Sequence, residues 1–375
     1  MAFRKFTKRF FIITNVIIVA LFLLACANAF LHPERWWFFA ILGLAFPFLL
    51  LATGLFSLLW LLFRSRWIFL SLAALALGYT NIRALMAFHF SEPFKAEKEA
   101  RAIRVLSWNV KWFDEQTKED KGRESNRQAM LDFIRESDAD ILCFQEYFEP
   151  TGHASYNNSR ELARMGYPYC FKVVDFSRPK NYEVGVAIFS RFPITDSLRV
   201  RYNTPIVNRA AESLIACTIN VEGQDIRVFT THLQSVLLQK KDYRDLAIIR
   251  KAEDSMMEAS RSIVRKLKQG YQMRGGQVDT VRSLLDKSQL PEVICGDYND
   301  VPNSYTYFRI RGDRQDAFVE KSSGLGRTFA TISSTLRIDY IMADRRFEVL
   351  QYKRHLLPYS DHYPVVADLR LAAAQ

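Results

Sequence analysis

The sequence predicts an α/β sandwich of mixed β-sheets, preceded by three transmembrane α-helices. Three observations predict it. Long uncharged runs are confined to the first 90 residues. After residue 103, short β-rich apolar runs alternate with longer polar, helix-like segments. Hairpin-like and crossover-like spacings occur together in that second part, which argues against a purely parallel sheet. A length of 375 residues leaves room for a sizeable core.

The membrane part comes first. Phe10–Leu31 is 22 residues without a charge, Trp36–Phe63 is 28, and Trp67–Ile82 is 16, with apolar character continuing past Arg83 to Phe90. About 20 apolar residues cross a bilayer core, so the first two runs suffice. The third suffices when Arg83 lies near the membrane edge and extends its head to water. Expected spans are about 10–31, 37–63 and 67–88, within a membrane domain of residues 1–90. Trp36, Trp37, Trp60 and Trp67 fall at span ends, where aromatic belts form. Arg4, Lys5, Lys8 and Arg9 precede the first span, and Arg64 and Arg66 sit between the second and third. The loop between spans one and two has only Arg35 beside Glu34. Positive-inside logic therefore puts the N-terminus in the cytoplasm and everything after residue 90 outside it. A cleaved signal peptide is the competing reading, from Leu23-Leu24-Ala25-Cys26 or Ala27-Asn28-Ala29, but the apolar run continues past both.

Charge follows the same division. Residues 1–90 hold eight of the chain's 51 basic residues and one of its 40 acidic ones, leaving 43 and 39 in 91–375. The net charge of +11 is thus mostly a membrane-flank signal, and the remainder demands no polyanion. The five cysteines form no CxxC; Cys26 lies in an apolar span, and Cys143, Cys217 and Cys295 lie in strand-like runs, so they read as buried free thiols.

Residues 91–103 form a charged linker, and 104–371 form the second domain. Its strand-like runs are 103–110, 140–147, 171–176, 185–189, 214–221, 226–231, 292–296, 338–342 and 364–371. Glu222–Asp225 reads as a hairpin turn, and 123–137 and 236–289 read as helices. Segment 239–274 holds ten basic residues against five acidic ones. Such a face is usually just solvated; the sharper reading is a helix resting on anionic lipid or on substrate.

Polar residues collect where these strands end. Asn109 follows Arg104-Val-Leu-Ser-Trp, Glu146 ends Ile141-Leu-Cys-Phe-Gln-Glu, and His232 follows Val228-Phe-Thr-Thr. Asp297, Asn299 and Asp300 follow Val293-Ile-Cys-Gly, Asp339 sits in Arg337-Ile-Asp-Tyr-Ile, and Asp361-His362 precede Tyr-Pro-Val-Val. Carboxylates beside apolar strands are costly unless paired or metal-bound. Any one of them alone reads as a cap or a surface charge; the set in order is the signal. Oxygen donors suit Mg²⁺ or Mn²⁺, whereas zinc would want His or Cys at close spacing. A hard cation with two histidines suits phosphoester hydrolysis. His153 and His355 lie outside the pattern and read as ordinary polar residues, and there is no Walker A loop, GxGxxG or GxSxG.

With these motifs in order — SWNV, LCFQE, GVAIFSRFPI, FTTHLQS, GDYND, RIDYIMAD and SDHYPV — the sequence resembles the endonuclease/exonuclease/phosphatase superfamily over about 104–371. The resemblance implies a four-layer α/β/β/α sandwich of two mixed β-sheets. It implies that Glu146 is the main metal ligand, helped by Asn109, with Asp361 a further carboxylate near the ion. Asp297 would position or deprotonate the attacking water, and Asn299 would hydrogen-bond the water or a phosphoryl oxygen. Asp339 and His362 would pair, with His362 on the phosphate or the nucleophile. His232 would contact the phosphate and could protonate the leaving group. Which histidine is acid or base stays open. Asp300 is a weaker candidate, and Arg191 and Arg337 fall in matching motifs with structural or functional roles equally open. His232 stands where apurinic endonucleases carry Tyr, which favours the deoxyribonuclease, phosphatase or sphingomyelinase branches. Ser235 to about Gln269 has no clear counterpart.

The expected function is a membrane-anchored, metal-dependent phosphodiesterase or phosphatase acting on a lipid or small phosphoester outside the cytoplasm. The alternative is an extracytoplasmic Mg²⁺-dependent nuclease acting on DNA or RNA, with 239–274 lining a backbone groove. A non-enzymatic membrane scaffold would tolerate loss of Asn109, Glu146, Asp297, Asn299, Asp339 and His362, and the chain has kept all six. The lipid bilayer is the other expected partner, and no protein partner is expected.

Overall fold

The computed structural model describes residues 2–89, 93–115, 124–152, 156–202, 212–236 and 256–372. His153, the start of the expected helix at 123, and 239–255 of the basic segment lie outside them. Two compact units emerge. One gathers described residues among 1–86, 236–276 and 300–309; the other takes those among 87–235, 277–299 and 310–375.

The first unit opens with helix α1 (Ala2–Ala27), of which Lys5–Ala27 has mean hydropathy 2.8 and is long and apolar enough to cross a membrane. Helices α2 (Pro33–Leu44) and α3 (Phe46–Leu62) meet at 55°, and α4 (Ile68–Leu77) and α5 (Tyr79–Leu85) at 65°. Each bent pair qualifies as a span only when taken as one. The first bend has a local cause: Pro47 has no N–H to continue the ladder. The second falls at Gly78. The helical part of the expected third span stops at Leu85 rather than 88, because Ala87–Phe88 leaves the helix as a short strand.

Polar side chains buried between the helices pair with one another or with backbone. Ser71 Oγ donates to Asn15 Oδ1 at 3.0 Å, and Asn81 Nδ2 to the Cys26 carbonyl at 3.3 Å. Unpaired, each would cost far more in an apolar setting. The later segments of this unit are tied in the same way. Asn28 donates to the Asn303 carbonyl and Asn303 to that of Gly43, both at 3.3 Å, and the His32 and Tyr305 rings meet edge to face at 5.0 Å.

The second unit begins with β1 (Ala87–Phe88), β2 (Ile103–Asn109), helix α6 (Arg127–Glu136), β3 (Ile141–Pro150) and helix α7 (Asn158–Arg164). Strands β4 (Tyr169–Arg178), β5 (Tyr182–Ser190), β6 (Ile194–Arg201), β7 (Ser213–Val221) and β8 (Gln224–His232) follow. Helix α8 (Met256–Leu285), whose residues up to 276 belong to the first unit, leads to β9 (Glu292–Asp297) of the second, and α9 (Tyr305–Arg311) falls largely in the first. Then come β10 (Gln315–Asp316), α10 (Ala317–Lys321), β11 (Ser323–Gly324), β12 (Asp339–Ala343), β13 (Phe347–Arg354) and β14 (Val365–Leu371).

The strands form two mixed sheets, ordered β10-β12-β9-β8-β7-β6 and β13-β14-β2-β3-β5-β4, beside a β1-β11 pair. In each large sheet one inner pair is parallel, β8-β9 and β2-β3, and the other pairs are antiparallel. Period-two alternation explains the packing. Val105, Ile141 and Cys143 point into a core shared with Ile215, Cys217, Val228, Val293 and Cys295 of the opposite sheet. Their neighbours Leu106, Leu142 and Phe144 point the other way, into a second core with Met130, Leu131 and Ile134 of α6. Two sheets therefore pack face to face, and α6 covers the outer face of one. Val278, Val281 and Leu285 at the end of α8 are buried as well.

The turn at Glu222–Gly223 has positive φ at both positions, 51° and 91°, the geometry a two-residue hairpin needs. Among the described residues the cysteines are free; Cys143, Cys217 and Cys295 are buried in their strands, and Cys170 is exposed.

Candidate active site

Strand register assembles the site. Asp297 ends β9, and its lateral neighbours are His232 on β8 and Asp339 on β12. On the other sheet Asn109 ends β2 beside Gln145 of β3, and Val365 of β14 faces Ser107, which brings the preceding Asp361-His362 to the same end. Gly296 makes the close approach of β9 to β8 possible: at φ +138°, a Cβ there would lie 2.0 Å from the Thr231 carbonyl oxygen. Glu146 sits in a β-bulge between Phe144 and Tyr147, at φ 52°. That conformation is strained for a Glu, and the bulge re-aims its side chain.

The side chains then form one connected set. Asn109 Nδ2 donates to Glu146 Oε1 at 3.3 Å and to Asp297 Oδ2 at 3.1 Å. Asp297 Oδ2 is 3.5 Å from His232 Nε2 and 3.6 Å from His362 Nε2. His362 Nδ1 lies 3.0 and 3.1 Å from the two oxygens of Asp339. The backbone N–H of Asn299 donates to Asp297 Oδ1 at 2.9 Å, and its side chain to the Leu233 carbonyl at 2.9 Å. Asp361 pairs with Lys111 Nζ at 2.8 Å. Six of the eight side chains singled out in the sequence join directly; Asn299 joins through its backbone N–H, and Asp361 stands beside them on Lys111. Asp300 does not join: Thr306 Oγ1 donates to it at 2.6 Å and Arg274 lies 3.6 Å away, within the first unit. Arg191 pairs with Asp138 at 2.6 Å and the buried Arg337 with Asp316 at 2.7 Å, which accounts for both structurally.

Electrostatics follows from burial and neighbours. Burial pushes the Asp297 carboxyl up, partly offset by His362 and His232. For His362 burial works against the charged form, but Asp339, Asp297 and Asp361 outweigh it and raise the imidazole to about 10. Burial also opposes the charge on Asp361, yet His362 and Lys111 hold its carboxyl below the usual range.

Sequence reasoning missed four supporting residues. Lys111 opens a run of four left-handed residues, Lys111–Asp114, with φ between 44° and 62°. Its N–H donates to Asn109 Oδ1 at 3.0 Å, fixing that amide. Ser360 Oγ donates to the Asn109 carbonyl at 2.9 Å and accepts from the His362 N–H at 3.2 Å. Trp108 Nε1 donates to the His362 carbonyl at 2.9 Å. Gln145 Nε2 crosses between the sheets to Thr230 Oγ1 at 2.9 Å. The available signal was adjacency, since each stands within two residues of a member of the set.

The donor set suits a hard divalent cation. Among the described residues no basic side chain pairs with Glu146, and Asn109 Nδ2 bridges it to the Asp297 carboxylate. Asp297, Asp339 and His362 also offer atoms within 4.8 Å of one another. That trio is the poorer cradle, because His362 already commits Nδ1 to Asp339 and carries a proton on each nitrogen when charged.

Residues 106–362 match the model of the Endonuclease/Exonuclease/phosphatase family. The chain belongs to that family. It is therefore a phosphoric ester hydrolase, from a group whose enzymes are typically dependent on divalent metal. Residues 8–85 match a second model, described as a domain of unknown function (DUF8431). No curated protein matches the chain. Among solved structures, an endonuclease/exonuclease/phosphatase from Beutenbergia cavernae is 21% identical, with TM-score 0.52, over 73% of this chain and 72% of that one. The human Nocturnin catalytic domain, solved with a bound sulfate anion, is 20% identical, with TM-score 0.50, over 72% of this chain and 94% of its own. Both share the family fold with this chain.

Proposed function

We propose that the chain is a membrane-anchored phosphodiesterase or phosphatase whose catalytic unit lies outside the cytoplasm and works with Mg²⁺ or Mn²⁺. The observation that carries the reading is the single network joining Asn109, Glu146, Asp297, His232, Asp339 and His362. Glu146 and Asn109 would hold the ion, with Asp361 alongside and shared with Lys111. Such an ion neutralises charge on a bound phosphate.

The chain's own groups do the rest. Asp297, held by Asn109 and the Asn299 N–H, orients water and accepts its proton; its raised carboxyl value suits a base. His362, kept charged by Asp339, offers Nε2–H to a phosphoryl oxygen. His232 stands on the opposite side of Asp297, placed for the leaving-group oxygen. Asn299 orients the water or a phosphoryl oxygen.

Anchoring rests on α1, which can span a membrane alone; counting each bent pair as one span gives three. The Lys and Arg distribution then sets the orientation given above.

The test is hydrolysis of bis-p-nitrophenyl phosphate by the full chain in detergent. Chelation with EDTA is expected to abolish turnover, and Mg²⁺ or Mn²⁺ to restore it. Turnover that survives thorough chelation defeats the metal reading. Phospholipids, small phosphomonoesters and plasmid DNA as parallel substrates choose among the classes, and plasmid nicking in preference to the others would replace this reading with the nuclease one.

A further inference from the structure

Helix α8 carries a stripe whose N-terminal half neither the fold nor the chemistry above uses. Met257, Arg261, Val264, Lys268, Gln272 and Gly275 recur at spacings of four, three, four, four and three, so they share one face. The C-terminal end of that stripe rests on the residues that follow α1. A Cβ on Gly275 would lie 2.7 Å from the His32 ring, Gln272 Nε2 donates to the Glu34 carbonyl at 2.9 Å, and Lys268 Nζ is 5.1 Å from the Trp37 ring centre. Since α1 ends at Ala27, His32–Trp37 lie within ten residues of the end of the apolar span. Trp36 and Trp37 are of the type that settles at a membrane boundary. Among the described residues, the N-terminal end of the same stripe has no such cover. Met257 is 67% and Val264 39% exposed, and Arg261 and the flanking Arg265 are exposed too.

Exposed apolar side chains interleaved with arginines are a poor solvated face and a poor nucleic-acid groove, because Met257 and Val264 offer a phosphate backbone nothing. They do suit a bilayer boundary, where apolar groups enter the acyl region and guanidinium heads stay at the phosphates. The Arg261 guanidinium lying 3.6 Å from Met257 Sδ shows the two kinds of side chain running together.

We propose that the N-terminal half of α8 is an interfacial helix whose Met257–Val264 and Arg261–Arg265 face binds anionic phospholipid headgroups beside the α1–α2 turn. The proposal rests on the reading of α1 as a membrane span. Substrate presented at the lipid surface would then reach an enzyme held close to it.

The test uses the full chain in nanodiscs, with Cys170→Ser removing the exposed native thiol. An environment-sensitive NBD dye on Val264→Cys reports the α8 face, and the same dye on Leu21→Cys, within the apolar span of α1, reports the span. Nanodiscs of phosphatidylcholine are compared with ones containing phosphatidylglycerol. The dye at 264 is expected to shift to the blue and to be quenched by doxyl-labelled lipid when phosphatidylglycerol is present. Charge reversal by Arg261→Glu with Arg265→Glu is expected to shift that equilibrium by more than about thirtyfold toward water. Quenching at 21 without quenching at 264 overturns this proposal alone. Lack of quenching at both positions overturns the membrane reading and the proposal with it. Quenching at 264 that ignores charge reversal overturns the headgroup assignment. A shift driven by short duplex DNA in place of anionic lipid assigns the face to nucleic acid and overturns it too.

Discussion

Asp339→Asn tests the chemistry with little change in shape. Asp339 is buried on β12, and both of its oxygens lie within 3.1 Å of His362 Nδ1. His362 stands at about 10 rather than 6.5, with Asp339 the strongest of the three carboxylates that raise it. That rise corresponds to about 5 kcal/mol in favour of the charged ring. Losing a buried hydrogen bond between charged partners costs about 2–3 kcal/mol, or roughly 30–200-fold if the charge acts in the transition state. We therefore expect kcat for bis-p-nitrophenyl phosphate to fall about a hundredfold, with KM little changed. The pH profile provides the readout that a purely structural role would not move. A histidine raised in the folded state contributes stability that is complete below its unfolded value, near 6.5, and is lost as pH rises through about 10. In the variant the titration falls back toward 6.5, so the alkaline limb of kcat moves to lower pH. Turnover within about threefold of wild type in a folded variant would refute the assignment of His362 as a charged group at the phosphate. A hundredfold loss with an unmoved pH profile would refute the electrostatic part.

Asp297→Ala removes the group at the centre of the network, and hydrolysis is expected to fall by about three orders of magnitude or more, with circular dichroism unchanged. Gly185→Ala places a Cβ 1.8 Å from the Val173 carbonyl oxygen, so β4 and β5 must separate. A loss of about 2–4 kcal/mol in urea unfolding is expected, and a loss under about 0.5 kcal/mol would show that the pairing yields freely. His355 stacks edge to face on Phe133 at 4.9 Å, and burial, with Lys353 and Arg104 nearby, lowers it to about 4. Its neutral form is favoured in the folded state, so its contribution is present above about 6.5 and lost as pH falls toward 4. After allowance for partial exposure, wild type should lose about 1–2 kcal/mol more than His355→Gln between pH ~7 and pH ~4.5. Parallel loss in both would remove His355 from the account.

Much of the fold was legible because burial writes a period into sequence. β2, β3, β8 and β9 are buried along most of their length and appeared as apolar runs. β6 was not legible: it lies at the edge of its sheet, and Thr195–Leu198 and Arg199 are exposed, so its residues answer to solvent. β13 was also missed, since the alternation in FEVLQYKR is broken by a bulge between Val349 and Gln351. The bend at Ala45 was invisible to hydropathy, although Pro47 carried the cause. The convergence of Asn109, Glu146, His232, Asp297, Asp339 and His362 was legible from strand-end chemistry and motif order. Lys111 and Ser360 were not, because their roles depend on a left-handed turn and on a contact across 251 positions.

The placement of Asp297 between His232 and Asp339 on adjoining strands has a consequence for engineering. Ladder hydrogen bonds, not loops, set the spacing of these three groups. A slip of one residue would present Gly296 or Tyr298 in place of the carboxylate and turn neighbouring side chains to the opposite face. Connecting segments therefore offer independent handles: grafting them from other scaffolds should redirect what is cleaved while the hydrolytic machinery stays in step. Conversely, screens for altered selectivity that mutate the strand ends should yield mostly inert protein.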